Sequence, residues 1–189
     1  MKHGHAGRIA LLTAAIAAAG CAARKEESAP PADGRPEETT AMAKKTLECS
    51  LSAPAQVKAG EPVEVLFKLT NTSAQPVYVL KWHTPLEGIR NDIFKVTLTG
   101  SAADQSYMGP MVKRGPPDAS SYATLAPGAS EERGVDVAQA YGIQTPGTYR
   151  IHFVGQLMDV TTDAAKVPAL NGEFHDTAVD CPDIEVTVT

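Results

Sequence analysis

From residue 63 onward, apolar and polar side chains alternate with a period of two, and that period is what most restricts the fold. Val63, Val65, Phe67 and Leu69 interleave with Glu64, Leu66, Lys68 and Thr70, the pattern of a strand with one buried face. Residues 71–76 (Asn-Thr-Ser-Ala-Gln-Pro) carry turn chemistry, and residues 77–82 are apolar at nearly every position, as a central strand would be. Alternation returns over residues 92–99 with Phe94, Val96 and Leu98 on one side. Leu125-Ala126-Pro127-Gly128 forms a turn ahead of a weaker strand through Val135 and Val137. Pro146-Gly147 opens a further strand with Tyr149, Ile151 and Phe153 on one face, and Ile184, Val186 and Val188 close the chain. Short strands separated by Pro/Gly turns, with no amphipathic helix among them, predict an all-β antiparallel sandwich. Tyr149 occupies the position of a tyrosine corner, and Trp82 is expected to end a central strand and cover the core. Asn71-Thr72-Ser73 matches a glycosylation sequon and is read as a turn.

The first quarter is built differently. All ten aromatic residues lie at or after Phe67. Lys2 and Arg8 precede an apolar run at residues 9–19, too short to cross about 30 Å of hydrocarbon but suited to a signal peptide. The run ends Ala18-Ala19-Gly20-Cys21, which resembles the lipobox of bacterial lipoproteins, although Ala18 stands where Leu is usual. That resemblance implies lipidation (palmitate) of Cys21; ordinary secretory cleavage is the alternative. Ala22 follows in place of an inner-membrane retention Asp, which favours the outer membrane over the inner. Residues 22–45 contain no aromatic and no Val, Ile or Leu, so they are expected to form a disordered tether. The expected organisation is therefore a signal peptide at 1–20, a lipidated tether at 21–45, and one folded domain at 46–189.

Within that domain only Cys49 and Cys181 remain. In an oxidising envelope the pair is expected to form a disulfide tying the first strand to the last, with two buried free thiols as the alternative. Absence of a C-x-x-C sequence removes a thioredoxin-like role. The net charge of −5, from 17 basic and 22 acidic residues, offers no basic footprint for nucleic acid.

Two loops stand out as candidate interaction surfaces. One spans residues 82–88 and offers Trp82, His83, Pro85, Leu86 and Glu87. The other spans 107–117 and sets Tyr107, Met108, Met111 and Val112 beside Lys113 and Arg114, a composition suited to adaptable contacts. Packing of the sandwich end is the alternative role for both. A third irregular stretch, 155–180, interrupts the final strand pair, and loops of that length are commonly functional or mobile.

The runs LTNTSAQPVYVLKWHTPLEG, DIFKVTLTG, YMGPMVKRGPP, YATLAPGAS and AYGIQTPGTYRIHF together resemble the non-catalytic β-sandwich domain of the deuterolysin family, which precedes the zinc protease domain in bacterial peptidyl-Lys metallopeptidases. The resemblance spans residues 51–154 and implies an immunoglobulin-like sandwich. It does not bring the enzyme with it. The family's catalytic domain carries H-E-x-x-H and G-T-x-D-x-x-Y-G; this sequence has no H-E-x-x-H, and Gly147-Thr148-Tyr149-Arg150 lacks the aspartate.

Elsewhere the chemistry is sparse. His83, His152 and His175 are the histidines of the folded part, and Glu173-Phe174-His175-Asp176 with Asp180 is the best local cluster, read as solvated surface and not as a zinc site. No G-x-S-x-G and no glycine-rich phosphate loop is present. The expectation is a non-enzymatic envelope lipoprotein with no metal or cofactor, anchored to a membrane and binding a protein or peptide. A protease-associated role, as inhibitor or docking factor, follows only from the resemblance. The competing reading is a deuterolysin-related hydrolase whose site is degenerate or unrecognised.

Overall fold

The computed structural model describes residues 45–189, so the expectations for the signal peptide, Cys21 and most of the tether lie outside the described residues. Ten strands follow one another as β1 (Leu47–Ser52), β2 (Gln56–Val57), β3 (Glu64–Asn71), β4 (Val77–Leu80), β5 (Phe94–Leu98), β6 (Tyr122–Leu125), β7 (Ser130–Asp136), β8 (Gly147–Phe153), β9 (Val160–Thr161) and β10 (Ile184–Val188). One short helix, α1 (Val137–Tyr141), falls between β7 and β8.

The strands form three sheets in the orders β1-β3-β7, β2-β10-β8-β5 and β6-β4-β9. All pairings are antiparallel except β2 with β10. The period-two pattern maps directly onto burial: Val65, Phe67 and Leu69 of β3 face inward opposite Ile151 and Phe153 of β8, and all five are buried. The two inner faces meet where Phe67 lies 5.2 Å from Phe153, which in turn lies 5.9 Å from Phe94 of β5. Tilted aromatic pairs of this kind add about 0.5–1.5 kcal/mol beyond the area they bury.

Asn71 governs the corner between two of the sheets. It is wholly buried, and its side chain donates to the carbonyls of Gln75 and Leu125 at 2.8 and 2.9 Å while its Oδ1 accepts from the amide of Ser73 at 2.9 Å. The Gln75 and Leu125 carbonyls thereby find partners where the β3–β7 pairing passes into the β4–β6 pairing. The sequon is thus a buried corner, in agreement with its reading as a turn.

Cys49 of β1 is bonded to Cys181, just ahead of β10, so the disulfide joins two different sheets. Tyr149 makes the expected corner, its hydroxyl donating to the carbonyl of Thr145 at 2.8 Å. Two expectations are corrected. Val137 begins a helix instead of continuing a strand, because the Asp136 carboxylate accepts from the amides of Ala138 and Gln139 and Gly142 closes the helix at φ 62°. Trp82 lies beyond β4 in the following turn and is half-buried, so it borders a loop cluster and does not cover the core.

Replacing both Cys49 and Cys181 by alanine should leave the fold intact and lower its stability by about 2–5 kcal/mol in urea titration, since the bridge closes a separation of 132 residues.

Candidate interaction surface

The three stretches singled out by sequence converge on Trp82. After β4, Thr84 caps a single 3-10 turn, Pro85–Glu87: its hydroxyl donates to the Lys81 carbonyl at 2.7 Å and accepts from the Leu86 amide at 3.2 Å. Gly88, at φ 87°, ends the turn and donates to the Pro85 carbonyl at 2.8 Å. Thr84, Pro85 and Leu86 are buried by this arrangement, whereas Trp82, His83 and Glu87 are partly buried. Pro85 and Leu86 therefore hold the loop to the sandwich and do not offer contact surface. His83 sits in the left-handed region at φ 58°, with its amide held by Glu87 Oε1 at 2.9 Å and its ring against Asn91 Nδ2 at 3.0 Å. Gly155 lies so close beneath it that a Cβ there would come 2.7 Å from the His83 carbonyl.

The loop at 107–117 is fastened at both ends. At its start, the Tyr107 ring lies 5.3 Å from that of Tyr141 on α1, and the Met108 amide donates to the Ala140 carbonyl at 2.8 Å. Tyr141 is itself fixed: its hydroxyl accepts from the amides of Ile93 and Phe94 at 3.1 and 2.8 Å and donates to Asp92 at 2.9 Å. Burial pushes the Tyr141 phenol well above its ordinary value, and burial with the nearby Asp92 charge also raises that of Tyr107. Further along, the Val112 amide donates to the Arg90 carbonyl at 3.3 Å. At the far end Arg114 pairs with the Glu87 carboxylate and lies over the Trp82 ring at 5.0 Å. Only 18% of the Arg114 side chain and 13% of the Glu87 side chain are exposed, which sets this pair apart from a solvated surface bridge. Between the fastenings the loop is bare: Met108 is 65% and Met111 78% exposed, with Val112 and Lys113 also in solvent.

The stretch at 155–180 joins the same cluster through Phe174, whose ring meets the edge of Trp82 at 6.5 Å. It is an ordered excursion. Leu157 and Thr177 exchange backbone hydrogen bonds at 3.2 and 2.9 Å, and β9 pairs with β4. Its centre is the buried carboxylate of Asp159, which accepts from the Tyr122 hydroxyl at 2.6 Å and the His175 amide at 2.9 Å. Burial first, and the hydrogen bond to Asp159 second, push the Tyr122 phenol up to about 12. His175 is thus tied to a structural carboxylate, and Asp176 to Gln156. Among the described residues no three His, Cys, Asp or Glu side chains gather as metal ligands.

Elsewhere on the domain, His152 Nδ1 lies within hydrogen-bond distance of Asp183 at 2.6 Å, and Arg150 Nε donates to the same carboxylate at 2.6 Å. The His152 hydrogen bond and then that of Arg150 hold the Asp183 carboxyl below the usual range. These groups line a shallow cleft of about 730 Å³ with Lys95, Asp104 and Glu185, in which both charge signs alternate. A second groove of about 460 Å³ runs between the edge of β7 and the two clustered loops, lined by Ile89, Met108, Pro110, Arg133 and Ala140.

Tyr141, Arg133, Asn91 and the Phe174 edge belong to the cluster without having stood out in the sequence as its members. For Tyr141 the signal was present, since an Asp cap and a glycine bracket Val137–Tyr141.

Fold and loops together define an antiparallel β-sandwich whose loops are gathered at one place by a tryptophan. The chain belongs to the immunoglobulin-like domain family, whose profile matches residues 46–173. It is similar to a protein named "Extracellular protease" from Aeromonas hydrophila, 33% identical over 95 residues that make up 50% of this chain and 26% of that protein. The match thus spans about a quarter of that relative's length. Among solved structures, a β-glucosidase of Listeria innocua covers 75% of this chain and 16% of its own at 14% identity and a TM-score of 0.34. A CARDB domain of Pyrococcus furiosus covers 76% of this chain and 94% of its own at 13% identity and a TM-score of 0.30. Likeness this slight carries no functional argument.

Trp82 is the single tryptophan, so its fluorescence reports on the cluster. Arg114→Ala should leave Glu87 without its cation, shift the Trp82 emission to the red and lower stability by about 2 kcal/mol, while circular dichroism stays that of the wild type. Tyr122 contributes stability that is fully present below its unfolded value near 10 and is lost as pH climbs through about 12. Urea midpoints measured from pH 9 to 12 should therefore fall, and Tyr122→Phe should flatten part of that fall.

Proposed function

We propose that this protein is a non-enzymatic lipoprotein of the bacterial cell envelope, anchored through Cys21 on the outer-membrane side, that acts as a protease-associated interaction module. The observation that carries this reading is the clamped cluster: Trp82, Glu87, Arg114 and Phe174 tie three loops together and leave Met108, Met111, Val112 and Lys113 in solvent. A rigid scaffold presenting a bare, pre-ordered apolar and cationic segment suits recognition, because little entropy remains to be lost on binding. The similarity to an extracellular protease supports a peptidase as the partner, and the resemblance of the strand and loop motifs to the deuterolysin β-sandwich domain supports a metallopeptidase of that family. The protein or peptide partner meets this surface; nucleic acid has no basic face to bind.

The same similarity favours one other reading, a deuterolysin-related hydrolase with a degenerate site. Two measurements separate them. A photoreactive residue at position 111 in living cells should crosslink a secreted peptidase, while the same group at position 170, also well exposed, should not. Purified protein should contain no stoichiometric zinc and cleave no lysine-containing peptide; zinc with chelator-sensitive cleavage would establish the hydrolase instead.

A further inference from the structure

Residues 110–113 form an exposed, irregular stretch that follows a bend at Gly109, where the Tyr107 hydroxyl donates to the Pro110 carbonyl at 2.7 Å. Proline at 110 fixes one φ, and the chain from 110 to 115 runs without helix or strand pairing of its own. Its backbone has two unlike edges. The Val112 amide turns inward to the Arg90 carbonyl, and Met108 is held by Ala140. Among the described residues, the amides and carbonyls of Met111 and Lys113 make no hydrogen bond, and both side chains project into solvent two positions apart. Unpaired backbone groups at alternate positions, with exposed side chains on those residues, are what a β-pairing cleft takes up, through main-chain hydrogen bonds and pockets for every second residue.

The fastenings say more. The Tyr107 ring packs at a tilt against Tyr141 and the Met108 amide is bonded to α1, ahead of the exposed segment; Arg114 is paired with Glu87 over Trp82 behind it. If a peptide bond between residues 108 and 113 were hydrolysed, both new ends would remain attached to the same rigid sandwich and neither would leave the cleft. Such a double fastening is of particular consequence to a partner that cuts chains.

We propose that residues 108–113 enter the substrate cleft of an endopeptidase as an extended arm, with Met111 and Lys113 in its side-chain pockets, and inhibit it by occupying the cleft as a clamped, substrate-like strand. The inference rests on the reading of the protein as a protease-associated module and names how that contact is made. The partner it fits is a peptidase with pockets for a long apolar side chain and a cation.

The test uses the full chain in detergent against two probes: the Aeromonas hydrophila extracellular protease and a lysine-specific endopeptidase, each hydrolysing a fluorogenic peptide. Competitive inhibition of at least one is expected, with an inhibition constant raised tenfold or more by Met111→Asp together with Lys113→Glu and unchanged by Leu170→Asp. Thermal melts of the Met111/Lys113 and Leu170 variants should match the wild type, since those three side chains are exposed. Arg114→Ala should convert the arm from inhibitor to substrate, seen by mass spectrometry as faster cleavage between residues 108 and 113. Absence of inhibition, or inhibition indifferent to the Met111/Lys113 change, overturns the proposal. Capture of a peptidase through position 111 without inhibition would leave the interaction reading standing and discard the arm, whereas failure of that capture as well would discard both.

Discussion

Phe153 stands between Phe67 of the facing sheet and Phe94 of its own, and the rest of the molecule is arranged around that contact. From Phe94 the aromatic chain continues at 6.4 Å to Tyr141 and then to Tyr107, at the root of the exposed loop. The loop is therefore seated on the core and not on solvent. The disulfide between Cys49 and Cys181 joins the same two sheets from another side, so the faces that meet at Phe67 and Phe153 are held both by packing and by a covalent link.

A second constraint acts at the loops. The Glu87–Arg114 pair is mostly shielded from water, which strengthens the attraction but also means that either partner alone would leave a poorly solvated charge. The Nε of Arg114 is buried without a hydrogen-bond partner, so part of that pair's gain is spent on desolvation. Stacking over Trp82 offsets some of it. The arrangement fixes the direction of the 107–117 segment more than it stabilises the domain, consistent with a surface shaped for contact.

The strands were legible because period two is a local property: Val65, Phe67, Leu69, Tyr149, Ile151 and Phe153 announce their faces residue by residue, and all are buried. The cysteine pairing was legible because only two candidates remained in the folded part. Partnerships across sequence were not. Glu87 and Arg114 are 27 residues apart, Trp82 and Phe174 much further, and nothing local in either segment specifies the other. The loops could be marked as distinctive from composition, but their convergence depends on how β4, β5 and β8 stack. Val137 misled for a related reason. Its apolar side chain fits a strand or a helix equally well, and the Asp136 cap decides between them.

The central claim is that the sandwich holds residues 107–114 as an ordered segment with one edge fastened and one edge free. Amide hydrogen exchange resolved to single residues tests it most directly. The account predicts slowed exchange at Met108 and Val112, whose amides are bonded to Ala140 and Arg90, beside unprotected exchange at Met111 and Lys113. Uniformly rapid exchange from residue 107 to 114 would show a loose loop and contradict it.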